Sequence, residues 1–229
     1  MQTRRPLLRR RFPVLGNLSP AETLPEVVVG LVMVIGVTST ARLDVINTDE
    51  GVNSLLTVAF STAVAWAIID ATLYLMNVLF QRGRWDLTAH SLQSGPHSPA
   101  ERRTAVREAL DSALDEITGP EHASAIYDTI AGEVAERQYR PRLTAADLRG
   151  AGAIVVVVIV ATFPPIIPFL LPLEPDLALD LSNGVAIASL FLVGTLWAPF
   201  TRIRSGLAGV ALALIGSAMV GITVLLEVN

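Results

Sequence analysis

The sequence predicts an all-α polytopic membrane protein with five transmembrane helices and a cytoplasmic helical hairpin between the second and third. Three observations predict it. Of 229 residues, 52% are hydrophobic and 17% charged, with a mean hydropathy of +0.53, a profile outside that of soluble domains. Apolar windows near the twenty residues a spanning helix needs occur five times. Arginines fall almost wholly on one side of those windows.

The predicted organisation is a cytoplasmic tail (1–24), two spans (25–80), a cytoplasmic amphipathic insert (81–148) and three more spans (149–229). The windows cover about residues 25–43, 55–80, 151–171, 181–200 and 207–226; the fourth is diluted by Ser182, Asn183, Ser189 and Thr195. Five arginines precede the first window, nine lie between the second and third, and two between the fourth and fifth; Arg42 alone is on the other side. That bias puts the N-terminus in the cytoplasm and the C-terminus outside. Arg9-Arg10-Arg11-Phe12 loosely matches a twin-arginine signal, but Glu22 and Glu26 interrupt the approach to the apolar stretch, so the first window is expected to stay as a span.

The most informative residue is Asp70, inside the second window. With the cytosolic end near Phe80, about 1.5 Å of rise per residue sets Asp70 roughly 15 Å deep, near the middle of a hydrocarbon core about 30 Å thick. An acid there costs about 2.5–3.5 kcal/mol on insertion scales, and such groups usually face a bundle interior or an ion path. Tyr74 follows one turn later on the same face. Glu26 opens the first span, where it either admits a cation or acts as a favourable acid at a helix N-terminus. Met33 and Met76 are candidate thioether ligands or plain packing. The run Phe163 to Phe169, with Pro164, Pro165 and Pro168, is expected to break the third helix, either as a kink in which Pro164 and Pro168 shape a transport path or as a plain helix end near the outer interface. Gly209, Ala213 and Ser217 form a small-residue stripe suited to close helix packing.

In the insert, residues 81–97 read as a linker containing Gly83, Gly95 and Pro96. Ser98, Pro99 and Glu101 form a helix start with a capping box. Val106, Leu110, Ala113, Leu114 and Ile117 give that helix an apolar stripe up to Gly119-Pro120. A second helix carries Ala123, Ile126, Tyr127, Ile130 and Val134, and Pro141 stops it. Thr144 to Asp147 caps the third membrane helix. Glu101, Glu108, Asp111 and Asp115 share one helix face, and Glu133 and Glu136 lie on the second helix. Carboxylates from facing helices either form a divalent-cation site or a solvated charged face. His90, His97 and His122 have no partner at ligand spacing.

There is no cysteine, and all 17 basic residues are arginine. That excludes thiolate chemistry, Schiff bases and a phosphate-loop lysine. No nucleophile–base constellation stands out, so an enzyme is not expected, nor is nucleic-acid binding. No tightly bound cofactor is expected.

The runs Glu26 to Gly30, Thr38-Ser39, Ala65 to Asp70 with Tyr74-Leu75-Met76, Thr162 to Phe169, Leu181-Ser182-Asn183 and Leu190 to Gly194 resemble the bacterial branch of the vacuolar iron transporter family. The layout of two spans, a helical insert and three spans is similar too. The resemblance implies a homodimeric, proton-coupled exporter of Fe(II) or Mn(II), with the path at the two-fold axis and cytosolic acids collecting metal. It places Asp70 as the second-span acid and Glu26 at the inner mouth. Where the family carries an Asp-Gly pair in its first span, this chain has Met33-Val34. Two other classes fit the residues: a proton-coupled carrier of a small organic solute using Asp70, and a membrane scaffold whose insert docks a cytoplasmic partner. The residue usage fits a GC-rich bacterial genome, hence a bacterial plasma membrane.

Overall fold

The computed structural model describes residues 20–41, 49–94, 98–110, 113–201 and 203–227, all of whose regular structure is helical. In chain order the helices are α1 (Pro20–Ala41), α2 (Asp49–Gln93), α3 (Pro99–Ala109), α4 (Ala113–Thr118), α5 (Pro120–Glu136), α6 (Ala145–Ile166) running into a 3₁₀ turn (Ile167–Leu170), α7 (Pro175–Thr201) and α8 (Ser205–Glu227). Four segments are long and apolar enough to cross a membrane: Gly51–Gln93, Ala145–Leu170, Pro175–Thr201 and Ser205–Leu225. A shorter apolar helix covers Thr23–Ser39. These helices mark an integral membrane protein. The chain forms two compact units, one from residues 1–72 and 148–229 and one from residues 73–147.

The first unit is the apolar bundle. Its centre is Leu31 and Ile35 of α1 against Ala186, Leu190 and Val193 of α7, with Leu212 and Met219 of α8 alongside. Leu55 of α2 packs with Phe169, Ala178 and Leu179 in a second cluster. Small residues set the close approaches. A Cβ on Gly194 would lie 2.5 Å from the Ala208 carbonyl oxygen, and one on Gly209 would lie 2.9 Å from Phe191. The small-residue stripe of α8 is therefore used only in part. Gly209 and Gly216 are buried at the α7 contact, whereas Ser217 is exposed. Along α2, Leu55, Ala59, Ala63, Ala67 and Ala71 recur every four residues, and all are buried, a small-residue face of the kind that lets membrane helices pack closely. Phe60, Ile68, Ile69 and Leu73 point outward, away from the bundle.

The third span does not break at Phe163. Pro164 and Pro165 lie inside α6, and the helix only tightens to 3₁₀ geometry at Ile167. The prolines forgo the amide bonds to carbonyls one turn back, and the helix gives way to the 3₁₀ turn within two residues of Pro165. Pro165 and Pro168 are buried and Pro164 is exposed.

The second unit holds the insert, and here the linker expected over residues 81–97 is corrected. Helix α2 continues to Gln93, because Trp85, Ala89 and Leu92 repeat at helical spacing and pack on Val106, Ala123, Tyr127, Ala131 and Val134. Residues 95–97, including His97, lie outside the described residues. The first insert helix is also shorter than expected. It ends at Leu110, whose N–H bonds back to Val106 and Glu108, and a separate α4 follows from Ala113. Ile117, placed on the apolar stripe by spacing, is 78% exposed. Gly119 caps α5 with φ of +77°, a conformation glycine adopts without strain.

Both sequence-level caps are present. Ser98 N–H donates to Glu101 Oε2 (2.7 Å) and Glu101 N–H to Ser98 Oγ (3.3 Å). At α6, Thr144 N–H donates to Asp147 Oδ2 (2.7 Å) while Asp147 N–H donates to Thr144 Oγ1 (3.4 Å). Arg82, just past the apolar part of α2, adds two bonds to the Asp147 carboxylate at 2.7 and 2.9 Å. Asp147→Asn removes the charge from both Arg82 bonds and from the cap, and is therefore expected to lower the thermal midpoint at neutral pH, read by Trp fluorescence on heating.

Candidate intramembrane carboxyl site

Helices α1 and α2 bring Glu26 and Asp70 together. Their carboxyl groups stand within hydrogen-bonding reach of one another, 44 positions apart in sequence. Asp70 sits beside the alanine face of α2, between Ala67 and Ala71, where little side-chain bulk separates it from the bundle. Its Oδ2 atom is buried, and no amide, guanidinium or hydroxyl group donates to it. Glu26 lies half-buried on α1, one turn before Gly30. A Cβ on Gly30 would stand 3.3 Å from the Thr162 methyl and 3.4 Å from the Val158 carbonyl of α6, so α1 and α6 are in close contact at this level.

The chemistry of such a pair is restricted. Carboxylates only accept hydrogen bonds, so a bond between the two needs one proton on the pair. Remove that proton and two like charges face each other in an apolar bundle, a state that a cation relieves. The pair can thus hold a proton or a cation, and the two compete for the same oxygens. Among the described residues, no three His, Asp or Glu side chains gather at a metal-binding distance. The site offers two carboxyls, and water would supply the remaining ligands of a cation in transit.

The other sequence-level candidates are dispersed. Met33 is half-buried on α1, and Met76 is 60% exposed on α2. Tyr74 is half-buried, one turn beyond Asp70 on the same helix. In the insert, the acids are engaged locally. Glu101 closes its helix cap, Asp115 pairs with Arg107 at 2.6 Å, and Glu133 approaches Arg137 at 3.7 Å. Asp128 pairs with Arg103 at 2.7 Å. Glu108 and Glu136 are exposed, and Asp111 lies outside the described residues.

A second polar group escaped the sequence reading as a structural unit. Thr38 of α1 donates to the Val34 carbonyl (2.8 Å) and lies 3.1 Å from Asn183 Oδ1 of α7. Ser39 and Ser182 are buried beside them without hydrogen-bond partners. These side chains fix α1 against α7, since sliding either helix would bury the amide and hydroxyl unpaired.

No protein-family model matches the chain, and no curated protein matches it.

Proposed function

We propose that this protein exchanges protons for a divalent cation, Fe(II) or Mn(II), across a bacterial plasma membrane, with Glu26 and Asp70 as the exchange site. One observation carries the reading: two carboxyl groups from different apolar helices face each other, and a buried oxygen of Asp70 has no donor. Oxygen ligands suit these two hard to intermediate cations. The resemblance to the vacuolar iron transporter family supports the same activity. Five spans, with α1 as the first, would put the N-terminus in the cytoplasm and the C-terminus outside, as the arginine bias requires. A homodimer accords with the broad outward apolar face of α2, from Phe60 to Phe80. In this reading Glu26 and Asp70 bind the cation together as one site, and export carries it from the cytoplasm through that pair.

The test is Mn(II) and Fe(II) flux in proteoliposomes under an imposed pH gradient. The reading expects flux that follows the gradient and stops when an ionophore collapses it. Gradient-driven movement of a small organic solute with no metal flux would favour a carrier of another class.

A further inference from the structure

We infer that the cleft beside Trp85, together with residues 137–144, binds the headgroup of an anionic phospholipid. Trp85 follows Phe80 by five residues on one continuous helix, so it stands about 7.5 Å beyond the apolar part of α2. That is headgroup depth, where tryptophan and tyrosine are enriched. Tyr139 stacks against Trp85 with ring centroids 6.2 Å apart and planes 24° apart. The two rings line a cleft of about 340 Å³ with Thr129, Ile130, Val134, Glu133 and Arg137.

The segment leaving α5 supplies the charge. Residues 137–144 are non-helical and contain Arg137, Arg140 and Arg142 but no acid. Arg140 and Arg142 are exposed and meet no carboxylate among the described residues. Arg137 has only its 3.7 Å approach to Glu133, with both side chains more than two-thirds exposed, a weak pair. The segment is nevertheless held in place: Arg82 donates to the Arg142 carbonyl, and Gln93 Nε2 reaches the Arg137 carbonyl at 3.5 Å. Fixed backbone, free guanidinium groups and an aromatic wall match a phosphodiester whose glycerol and upper acyl chain lie against the rings. Thr129 and Glu133 accept hydrogen bonds from a hydroxylated headgroup.

The probe is phosphatidylglycerol. A full-length protein keeping Trp85 alone (Trp66→Phe, Trp197→Phe) is placed in phosphatidylcholine bilayers, and quenching by brominated phosphatidylglycerol is compared with that by brominated phosphatidylcholine. The expected result is association with the anionic lipid about fivefold or more tighter, since one arginine near an anionic surface contributes about fivefold. Arg140→Gln with Arg142→Gln should bring the ratio close to one, while Arg140→Lys with Arg142→Lys keeps most of it. Equal quenching by the two lipids, or a ratio unchanged in the glutamine variant, would overturn the inference. Loss of the preference on adding soluble glycerol phosphate would also overturn it, assigning the cleft to a free phosphate ester.

Discussion

Asp70→Asn is expected to abolish proton-driven Mn(II) flux, with a fall of a hundredfold or more, about 3 kcal/mol of lost transition-state or site stabilisation. The substitution keeps the side chain's shape and removes its capacity to lose a proton. With an amide beside it, Glu26 offers one carboxylate where a cation in an apolar bundle needs two. Glu26→Gln should give a similar loss, and the double variant should be little worse than either, because the pair acts as a unit. Folding should survive, since an amide is cheaper to bury than an unpaired carboxylate. The check is flux at matched reconstitution levels, with circular dichroism confirming helix content. Additive losses, or normal transport by Asp70→Asn, would separate the two residues and remove the pair from the path.

Gly194→Ala carries the largest expected structural effect. Its new Cβ would stand 2.5 Å from the Ala208 carbonyl oxygen and 2.8 Å from Gly209 Cα. Every atom it meets is backbone of α8, so no side chain can rotate away and the two helices must separate. Overpacking of this kind costs typically 1–3 kcal/mol, and here about 3 is expected, because the whole α7–α8 seam gives way. Gly221 is the control: a Cβ there meets nothing within 4 Å, so Gly221→Ala should be neutral or stabilising by up to about 1 kcal/mol. Thermal unfolding in detergent compares the two. Equal midpoints for Gly194→Ala and the parent would show that the seam is looser than the geometry requires.

What the sequence made legible was local or anomalous. The caps at Ser98–Glu101 and Thr144–Asp147 need only four consecutive residues, and both formed as spacing implied. Asp70 stood out because an acid in an apolar run has no bland surface explanation. Its facing partner was harder. Glu26 was a candidate, but nothing in the pattern pairs residues 44 apart, and only the folded bundle brings them together. The same holds for Arg82 and Asp147, which are 65 apart. Two signals were present but outweighed. Trp85, Ala89 and Leu92 have helical spacing, yet Gly83, Gly95 and Pro96 read as a linker. The alanines at 59, 63, 67 and 71 mark the buried face of α2, hidden in a run that is apolar on every side. Three prolines in five residues suggested a break at Phe163, but the helix carries Pro164 and Pro165 in its final turn and changes to 3₁₀ geometry only at Ile167.

The central claim is that Glu26 and Asp70 hold a proton that a cation displaces. Infrared difference spectroscopy on Mn(II) addition to the reconstituted protein tests it most directly. The account predicts loss of a protonated-carboxyl C=O band with gain of carboxylate bands, in the parent and not in Asp70→Asn. Mn(II) binding that leaves the protonated-carboxyl band unchanged, or the same loss in Asp70→Asn, would contradict it.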